Sequence, residues 1–244
     1  MHIFRTRFKK DIVCEFLPPN KDTGKVVIFC GGLPSFPSKP EVLKFFAQKG
    51  FWVFSPRYRG TWESDGSFLK KSPHQDILDI IDELPKGFLD LFNNKKYVIN
   101  VKKIYVIGVS FGGPAAILSS LDKRVSKIVA LSPVIDWKKE KDMYFIEKFI
   151  RSAFGKAYRF SHKDYIRLEK GLMYNPIDKV REINGDKILV IQALDDKAIF
   201  VPSVKKFALE TKCKTFYVKK GGHFSSSILS NPHYFKKFKE FIKR

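Results

Sequence analysis

Apolar residues in this chain form short, nearly continuous runs that alternate with longer stretches of helical spacing. Runs of strand length occupy residues 26–30, 52–55, 104–109, 127–131, 188–193 and 215–218. Such runs, rich in Val, Ile and Phe, are typical of strands buried on both faces of a sheet. Residues 2–8 and 12–17 instead alternate apolar and polar positions, which predicts an antiparallel hairpin at the start of the chain.

Stretches of helical spacing separate these runs. The candidate helices cover residues 39–49, 73–92, 111–121, 202–210 and 232–243. Within the second of them Pro85 is expected to bend or break the helix, because proline lacks a backbone N–H. The alternation predicts the α/β class, with a mostly parallel twisted sheet and helices on both faces. The carboxyl ends of the strands then meet along one edge, where ligands bind.

One segment interrupts this alternation. Residues 137–180 are rich in aromatic side chains and have helical spacing, and they are longer than a single crossover helix requires. We interpret them as a short helical cap inserted into one domain that spans residues 1–244. The alternative is a crossover built from two or three ordinary core helices.

The sharpest chemical motif is Gly-Val-Ser-Phe-Gly-Gly at residues 108–113. It follows a strand pattern and opens a helical one, the context in which Gly-x-Ser-x-Gly forms a nucleophile elbow. A turn this tight requires glycine two residues before and after Ser110 and thrusts the serine hydroxyl above the sheet. The N–H of Phe111 then lies at a helix N-terminus, where negative charge is stabilised. The alternative is an ordinary glycine-rich turn.

A serine nucleophile needs a general base, and the base needs an acid that orients it. Of the five histidines, His223 alone follows a predicted strand after two glycines, which places it on the same edge as Ser110. Asp195 and Asp196 both follow the preceding strand, and either can orient the imidazole. Asp136, after the strand before that, is a third candidate acid.

Acyl transfer also needs N–H donors for the oxyanion that forms on the carbonyl oxygen. The strand at 26–30 runs directly into Gly31 and Gly32. A glycine-rich turn at this point lets a backbone N–H face the reacting carbonyl. The alternative is a loop whose shape is set only by Pro34 and Pro37.

Taken together, these motifs resemble the α/β-hydrolase superfamily over nearly the whole chain. The order serine, acid, histidine is that of the superfamily, and the loop Ala-Leu-Asp-Asp-Lys-Ala-Ile resembles its acid loop. The resemblance implies a catalytic triad of Ser110, Asp196 and His223. It also implies that the backbone N–H groups of Leu33 and Phe111 form the oxyanion hole.

The sequence Tyr-Arg-Gly-Thr-Trp-Glu-Ser-Asp-Gly at residues 58–66 narrows the resemblance. It is most similar to the branch that holds small esterases and the catalytic domains of acylaminoacyl and prolyl oligopeptidases. We interpret Arg59 in this segment as a structural residue. The resemblance implies a serine hydrolase, and the aromatic residues of 137–180 favour a carboxylesterase that encloses an apolar group. One alternative is an aminopeptidase or acyl-peptide hydrolase with the same triad, and another is a non-catalytic protein that binds anionic partners.

The charge of the chain bears on that last alternative. Lys and Arg number 46 against 25 Asp and Glu, which gives a formal net charge of +21. The surplus is mostly lysine, is spread along the whole chain, and accompanies no nucleic-acid motif. We therefore interpret it as surface composition, with a nucleic acid or an anionic surface as a less favoured partner than a small ester or short peptide.

Cysteine and histidine positions argue against bound metal. Cys14, Cys30 and Cys213 are odd in number and scattered, and no histidine pair has zinc-ligand spacing. We expect no metal and no cofactor. The N-terminus has no apolar run of signal-peptide length, and no stretch approaches the roughly 20 apolar residues of a membrane span. We therefore expect a cytoplasmic protein with reduced, buried cysteines.

Overall fold

The computed structural model describes residues 2–243 and contains ten strands and seven α-helices within that range. The strands are β1 (Phe4–Phe8), β2 (Ile12–Leu17), β3 (Lys25–Cys30), β4 (Phe51–Pro56), β5 (Phe88–Leu89), β6 (Lys96–Tyr97), β7 (Lys103–Val109), β8 (Val125–Leu131), β9 (Ile188–Ala193) and β10 (Lys214–Val218). The helices are α1 (Pro40–Gln48), α2 (His74–Glu83), α3 (Gly112–Ser119), α4 (Met143–Phe154), α5 (His162–Glu169), α6 (Val201–Thr211) and α7 (Pro232–Ile242). None of the described helices is long and apolar enough to cross a membrane.

Eight of the strands form one sheet in the order β1-β2-β4-β3-β7-β8-β9-β10. β1 and β2 pair antiparallel, as the hairpin pattern predicts, and β2 pairs antiparallel with β4. All remaining neighbours are parallel. The mostly parallel sheet predicted from the sequence is therefore confirmed, with an antiparallel hairpin at one edge.

Both faces of the sheet are covered because the strand residues are apolar on both sides. In β7, Ile104 and Val106 join one buried cluster, which includes side chains of α2, α3 and α6. Tyr105 and Ile107 point the other way, into a second cluster with side chains of α1 and α7. The unbroken apolar runs therefore form strands that are buried on both faces, as predicted.

The predicted helix over residues 73–92 breaks at Pro85, as one of the two expected outcomes, and its second half is not helical. Helix α2 ends at Glu83, and a short 3-10 turn at Leu84–Lys86 contains Pro85. Gly87 then adopts φ +81°, and the chain returns as the two-residue strand β5, which pairs with β6. Proline and glycine two residues apart end the helix completely instead of bending it.

Residues 137–180 contain α4 and α5 together with three short 3-10 turns. The part that follows α4 lies along the loop after β4. The N–H of Trp62 donates to the carbonyl of Ala157 at 2.7 Å, and the N–H of Arg159 donates to the carbonyl of Gly60 at 2.8 Å. This part of the segment is therefore joined to the main domain through backbone hydrogen bonds.

All three cysteines are free and buried, as expected. Burial raises the pKa of the Cys14, Cys30 and Cys213 thiols, so they stay protonated. They behave as small apolar side chains of the core.

Candidate active site

Ser110 lies in the turn between β7 and α3, at the carboxyl edge of the sheet. Its φ is +53°, in the left-handed region that a residue with a side chain rarely adopts. Its N–H donates to the carbonyl of Leu131, and its carbonyl accepts from the N–H of Gly113, both at 2.9 Å. Strained backbone held by its surroundings in this way is typical of functional sites.

Gly108 and Gly112, two residues before and after Ser110, leave no room for side chains. A Cβ atom on Gly108 would overlap the carbonyl oxygen of Gly112, and one on Gly112 would overlap the carbonyl oxygen of Cys30. Both obstacles are backbone atoms, which cannot rotate away. The turn therefore has the tight form that the Gly-x-Ser-x-Gly motif predicts.

Asp196, in the loop after β9, accepts a hydrogen bond from the imidazole of His223. Nδ1 of His223 lies 3.0 Å from Oδ2 of Asp196. The carboxylate also accepts the N–H groups of Ala198 and Ile199, at 2.9 and 3.2 Å, and the side-chain amide of Gln192 at 3.0 Å. These four donors hold the carboxylate in one orientation.

The charge of Asp196 follows from these contacts. Burial raises the pKa of this carboxyl, but the hydrogen bond and charge of His223 and the N–H of Ala198 outweigh burial, so the pKa lies below its usual value. The carboxylate is ionised and can only accept, so Nδ1 of His223 carries the proton. Nε2 is then left to accept a proton from another group.

Asp195, the other candidate acid, has a different task. Its Oδ1 accepts the N–H of Gly221 at 2.9 Å and the N–H of Gly222 at 2.8 Å. The hydrogen bond from Gly222 lowers the pKa of Asp195 below its usual value, and the one from Gly221 acts in the same direction. Asp195 therefore holds the loop of Gly221 and Gly222, which precedes His223. Only Asp196 of the two aspartates contacts the imidazole.

A cavity of about 210 Å³ brings Ser110 and His223 together. Its apolar lining comes from both sides: Leu33, Phe111 and Ile199 from the main domain, and Trp137, Met143, Ile146 and Tyr165 from residues 137–180. Within the described residues, no hydrogen bond joins the Ser110 hydroxyl directly to His223. Such contacts are often long in substrate-free sites and shorten when substrate binds.

The two predicted oxyanion donors lie at this cavity. Leu33 follows β3, which pairs with β7 so that Cys30 lies opposite Gly108. Leu33 and Phe111 both line the cavity beside Ser110. Among residues 2–243, neither of their backbone N–H groups donates to a protein acceptor.

Side chains from distant parts of the chain hold the loop that carries Leu33. The N–H of Ser35 donates to the Tyr158 hydroxyl at 3.0 Å, and that hydroxyl lies 3.2 Å from the Ser35 carbonyl. The indole N–H of Trp62 donates to the same carbonyl at 3.2 Å. Tyr158 is 123 positions from Ser35, so no local pattern predicts this contact. Tyr158 and Trp62 therefore position the loop without touching the cavity of Ser110.

Glu140 is a further acidic residue of the site that the motifs do not reveal. It lines the cavity of Ser110 and His223, and its Oε2 accepts the N–H of Phe200 at 3.1 Å. Burial raises the pKa of Glu140 from 4.5 to about 7, the carboxylates of Asp136 and Asp196 add to the rise, and His223 opposes it. Glu140 thus places a titrating charge near the imidazole.

This raised pKa predicts a pH-dependent stability. Between about pH 4.5 and about pH 7 the folded protein binds more protons at Glu140 than the unfolded chain, so this carboxyl makes stability fall as pH rises. A shift of this size corresponds to at most about 3 kcal/mol, and to less for a partly exposed group. Glu140→Gln keeps an acceptor for the Phe200 N–H, so we expect its Tm to exceed that of the wild type by about 2–4 °C near pH 8.

Thermal unfolding by circular dichroism of both proteins across this pH range measures the difference, which we expect to vanish near pH 5 because Glu140 is then protonated in the folded state. Asp76, whose pKa burial raises to about 6, is present in both proteins and cancels in the comparison. A variant that is less stable than the wild type near pH 8 contradicts the prediction.

Comparison with known proteins agrees with this geometry. Residues 36–244 match the model of the prolyl oligopeptidase family. The chain belongs to the prolyl oligopeptidase family. As a member of that family it is a serine hydrolase of the α/β-hydrolase fold. A comparison with curated protein sequences gave no match.

Solved structures similar to this family member share its fold. An esterase of Pyrococcus furiosus superposes with a TM-score of 0.71 at 20% identity, covering 100% of this chain and 90% of the esterase. An esterase of Exiguobacterium antarcticum has a TM-score of 0.64 at 14% identity, covering 99% of each chain. An acylaminoacyl peptidase of Pyrococcus horikoshii has a TM-score of 0.68 at 17% identity, covering 100% of this chain and 41% of the peptidase.

Asp136, the third candidate acid, and Arg59 both lie outside the Ser110–His223 pair in this family member. Asp136 accepts the N–H of Lys138 at 3.2 Å, so it caps a 3-10 turn and does not contact His223. Arg59 forms ion pairs with the carboxylates of Asp11, Asp76 and Asp79. This is the structural role expected of Arg59.

The remaining histidines have local partners in this family member. Burial lowers the pKa of His74 to about 4, and its Nδ1 lies 2.7 Å from the Ser72 hydroxyl. His162 contacts Glu147 at 2.9 Å, and His233 packs against Phe216. Within residues 2–243 no group of three or more His, Cys, Asp or Glu side chains could hold a metal ion.

Proposed function

We propose that this protein hydrolyses carboxylic esters through an acyl-enzyme intermediate on Ser110. The observation that carries the proposal is the cavity where Ser110, in strained backbone, faces His223, whose Nδ1 is held by the buried carboxylate of Asp196. Ser110 follows β7, Asp196 follows β9 and His223 follows β10, so all three lie at the carboxyl edge of the sheet. Acyl transfer requires a nucleophile, a base and an orienting acid arranged together in this way.

The proposed reaction has two steps. The Ser110 oxygen attacks the ester carbonyl carbon while its proton passes to Nε2 of His223. The tetrahedral intermediate collapses, the bond to the alkoxy group breaks, and His223 gives its proton to the departing alcohol. Water then attacks the acyl-enzyme with its proton going to His223, and the second collapse releases the carboxylic acid and returns the proton to Ser110. Asp196 stabilises the imidazolium formed in each step.

We propose that the N–H groups of Leu33 and Phe111 form the oxyanion hole. Both residues line the cavity beside Ser110. Phe111 also precedes the first turn of α3, where the helix dipole favours negative charge. Donors aimed at a developing oxyanion typically contribute about 10²–10³ in rate each.

The cavity itself supports small, apolar acyl groups. Its volume of about 210 Å³ lies below the roughly 300–1,000 Å³ of common ligand pockets. Four of its side chains, Trp137, Met143, Ile146 and Tyr165, come from residues 137–180. We therefore propose that this segment is a cap that encloses the acyl group, within one domain that spans residues 1–244.

Hydrolysis of short peptides or acylated amino acids is the second candidate. It is supported by membership of the prolyl oligopeptidase family and by the fold shared with an acylaminoacyl peptidase, although the chain covers only 41% of that protein. The same triad can cleave an ester or an amide, and the two reactions differ in the leaving group.

A panel of p-nitrophenyl esters and aminoacyl p-nitroanilides tests the proposal. We expect kcat/KM to be highest for short acyl esters and to fall as the acyl chain outgrows the cavity, with little turnover of anilides. Anilide turnover comparable to ester turnover favours the peptidase. A complete lack of turnover of both series contradicts the proposed ester hydrolysis. It favours the alternative of a non-catalytic protein that binds anionic partners.

We also propose a cytoplasmic location. All three cysteines are free and buried, which suits a reducing compartment. Fractionation of the native host with antibody detection tests this proposal.

A further inference from the structure

Helix α4 exposes an aromatic face that the reaction at Ser110 does not use. Tyr144 and Phe145 are each 65% exposed and Phe149 is 53% exposed, although all three are large apolar side chains. Met143 and Ile150, on the inner face of the same helix, are buried. The helix is therefore apolar on both sides, and its outer side has no partner within the described chain.

The exposed face continues beyond the helix. Phe149 packs against Phe154 with ring centroids 6.0 Å apart, and Phe154 packs against Phe36 at 6.0 Å. Phe36 is itself 69% exposed and belongs to the loop that follows Leu33. We call Phe36, Tyr144, Phe145 and Phe149 the aromatic patch. Contiguous exposed apolar patches often mark sites of interaction with proteins or membranes.

Exposed charges in the stretch of chain that contains α4 are almost all positive. Within residues 137–163 the exposed cationic side chains are Lys138, Lys139, Lys141, Lys148, Arg151, Lys156 and Lys163. The one exposed carboxylate in the same range is Asp142, since Glu147 is buried and pairs with Arg151. Lys148 follows Tyr144 by one helical turn and so lies on the same face.

We propose that the aromatic patch of α4 docks on an anionic lipid surface. Aromatic side chains with lysines beside them are the combination that helices use at the membrane interface, where rings enter the headgroup region and lysines meet anionic lipids. Attraction to such a surface increases with each lysine near it.

Charge favours a lipid surface over a second copy of this chain. Each copy has a formal net charge of +21 and carries the same lysines, so two patches repel one another. Sequence favours lipid over nucleic acid, because no nucleic-acid motif accompanies the lysines.

Docking does not depend on the reaction proposed for Ser110, because the patch and the cavity use opposite faces of α4. Ile146 and Met143 line the cavity, whereas Tyr144 and Phe145 face solvent. Binding to lipid and hydrolysis of a soluble ester can therefore be measured and lost separately.

Vesicle flotation tests the proposal. The full chain is mixed with phosphatidylcholine vesicles, or with vesicles that also contain phosphatidylglycerol, and the bound fraction is measured. We expect binding only to the anionic vesicles. The bound fraction should decrease when salt rises from about 0.1 M to about 1 M, because salt screens the attraction between the lysines and the anionic headgroups. Tyr144→Ser/Phe145→Ser should weaken the partition by about tenfold or more, because two rings no longer enter the interface.

The matched control is Phe92→Ser/Leu209→Ser, which removes two side chains that are 61% and 80% exposed elsewhere on the surface. We expect the control to bind like the wild type, and both double variants to keep the circular dichroism spectrum and melting temperature of the wild type. Wild type that does not float with anionic vesicles overturns the proposal. So does equal loss in the control variant, a patch-dependent dimer without lipid binding, or patch-dependent retention of nucleic acid in place of lipid.

Discussion

Replacing Ser110 with alanine is expected to lower kcat for ester hydrolysis by about 10⁶-fold, because removal of the nucleophile leaves only binding and the oxyanion donors. The alanine fits the turn, since Ser110 makes no side-chain hydrogen bond within the described residues. KM and the melting temperature should therefore change little. The loss is measured by steady-state turnover of the best ester of the panel.

A fluorophosphonate probe gives an independent readout of the same residue. It forms a covalent bond only with an activated serine, so the wild type should be labelled and Ser110→Ala should not. Ser120→Ala is the matched control, because this serine directly follows α3 and its hydroxyl donates only to the Ile117 carbonyl. Equal labelling of Ser110→Ala and wild type means that another serine is the nucleophile.

Replacing Asp196 with asparagine is expected to lower kcat by about 10⁴-fold, because an amide no longer fixes the histidine tautomer or stabilises the imidazolium. The side chain is fully buried and keeps its N–H donors from Ala198 and Ile199. KM should therefore change much less than kcat. Turnover of the same ester measures the effect.

The neighbouring residue provides a closely matched control. Asp195→Asn still offers a carbonyl oxygen to the N–H groups of Gly221 and Gly222, and its side chain does not touch the imidazole. We expect its kcat to fall by about tenfold at most, through a looser histidine loop. A larger loss in Asp195→Asn than in Asp196→Asn would reverse the assignment of the acid.

Local pattern was sufficient to predict most of the sheet and the residues at its edge. Strands with unbroken apolar runs need no long-range information, because burial on both faces leaves a direct mark on composition. The loops after β7, β9 and β10 could be placed on one edge because parallel strands all end there. The choice between Asp195 and Asp196, however, came from the family resemblance, since both residues end the same strand.

Other features depend on contacts that local pattern does not contain. The chain after Pro85 has apolar residues at helical spacing, but Leu89 and Leu91 are half exposed, each at 49%, so the spacing did not reflect burial. Glu140 looks like one more charge in a lysine-rich stretch. It gains its raised pKa only because folding buries it and places it near the carboxylates of Asp136 and Asp196.

The contacts of residues 155–160 divide the 137–180 segment into two parts that differ in how well they tolerate changes of sequence. This stretch is bonded to the loop after β4 and, through Tyr158, to the loop that carries Leu33. Helix α4 lies outside those bonds and supplies Met143 and Ile146 to the cavity. Substrate range can therefore evolve, or be engineered, by substitutions on the inner face of α4 while the loop that carries Leu33 stays intact. Insertions in residues 155–160 would alter catalysis for every substrate at once.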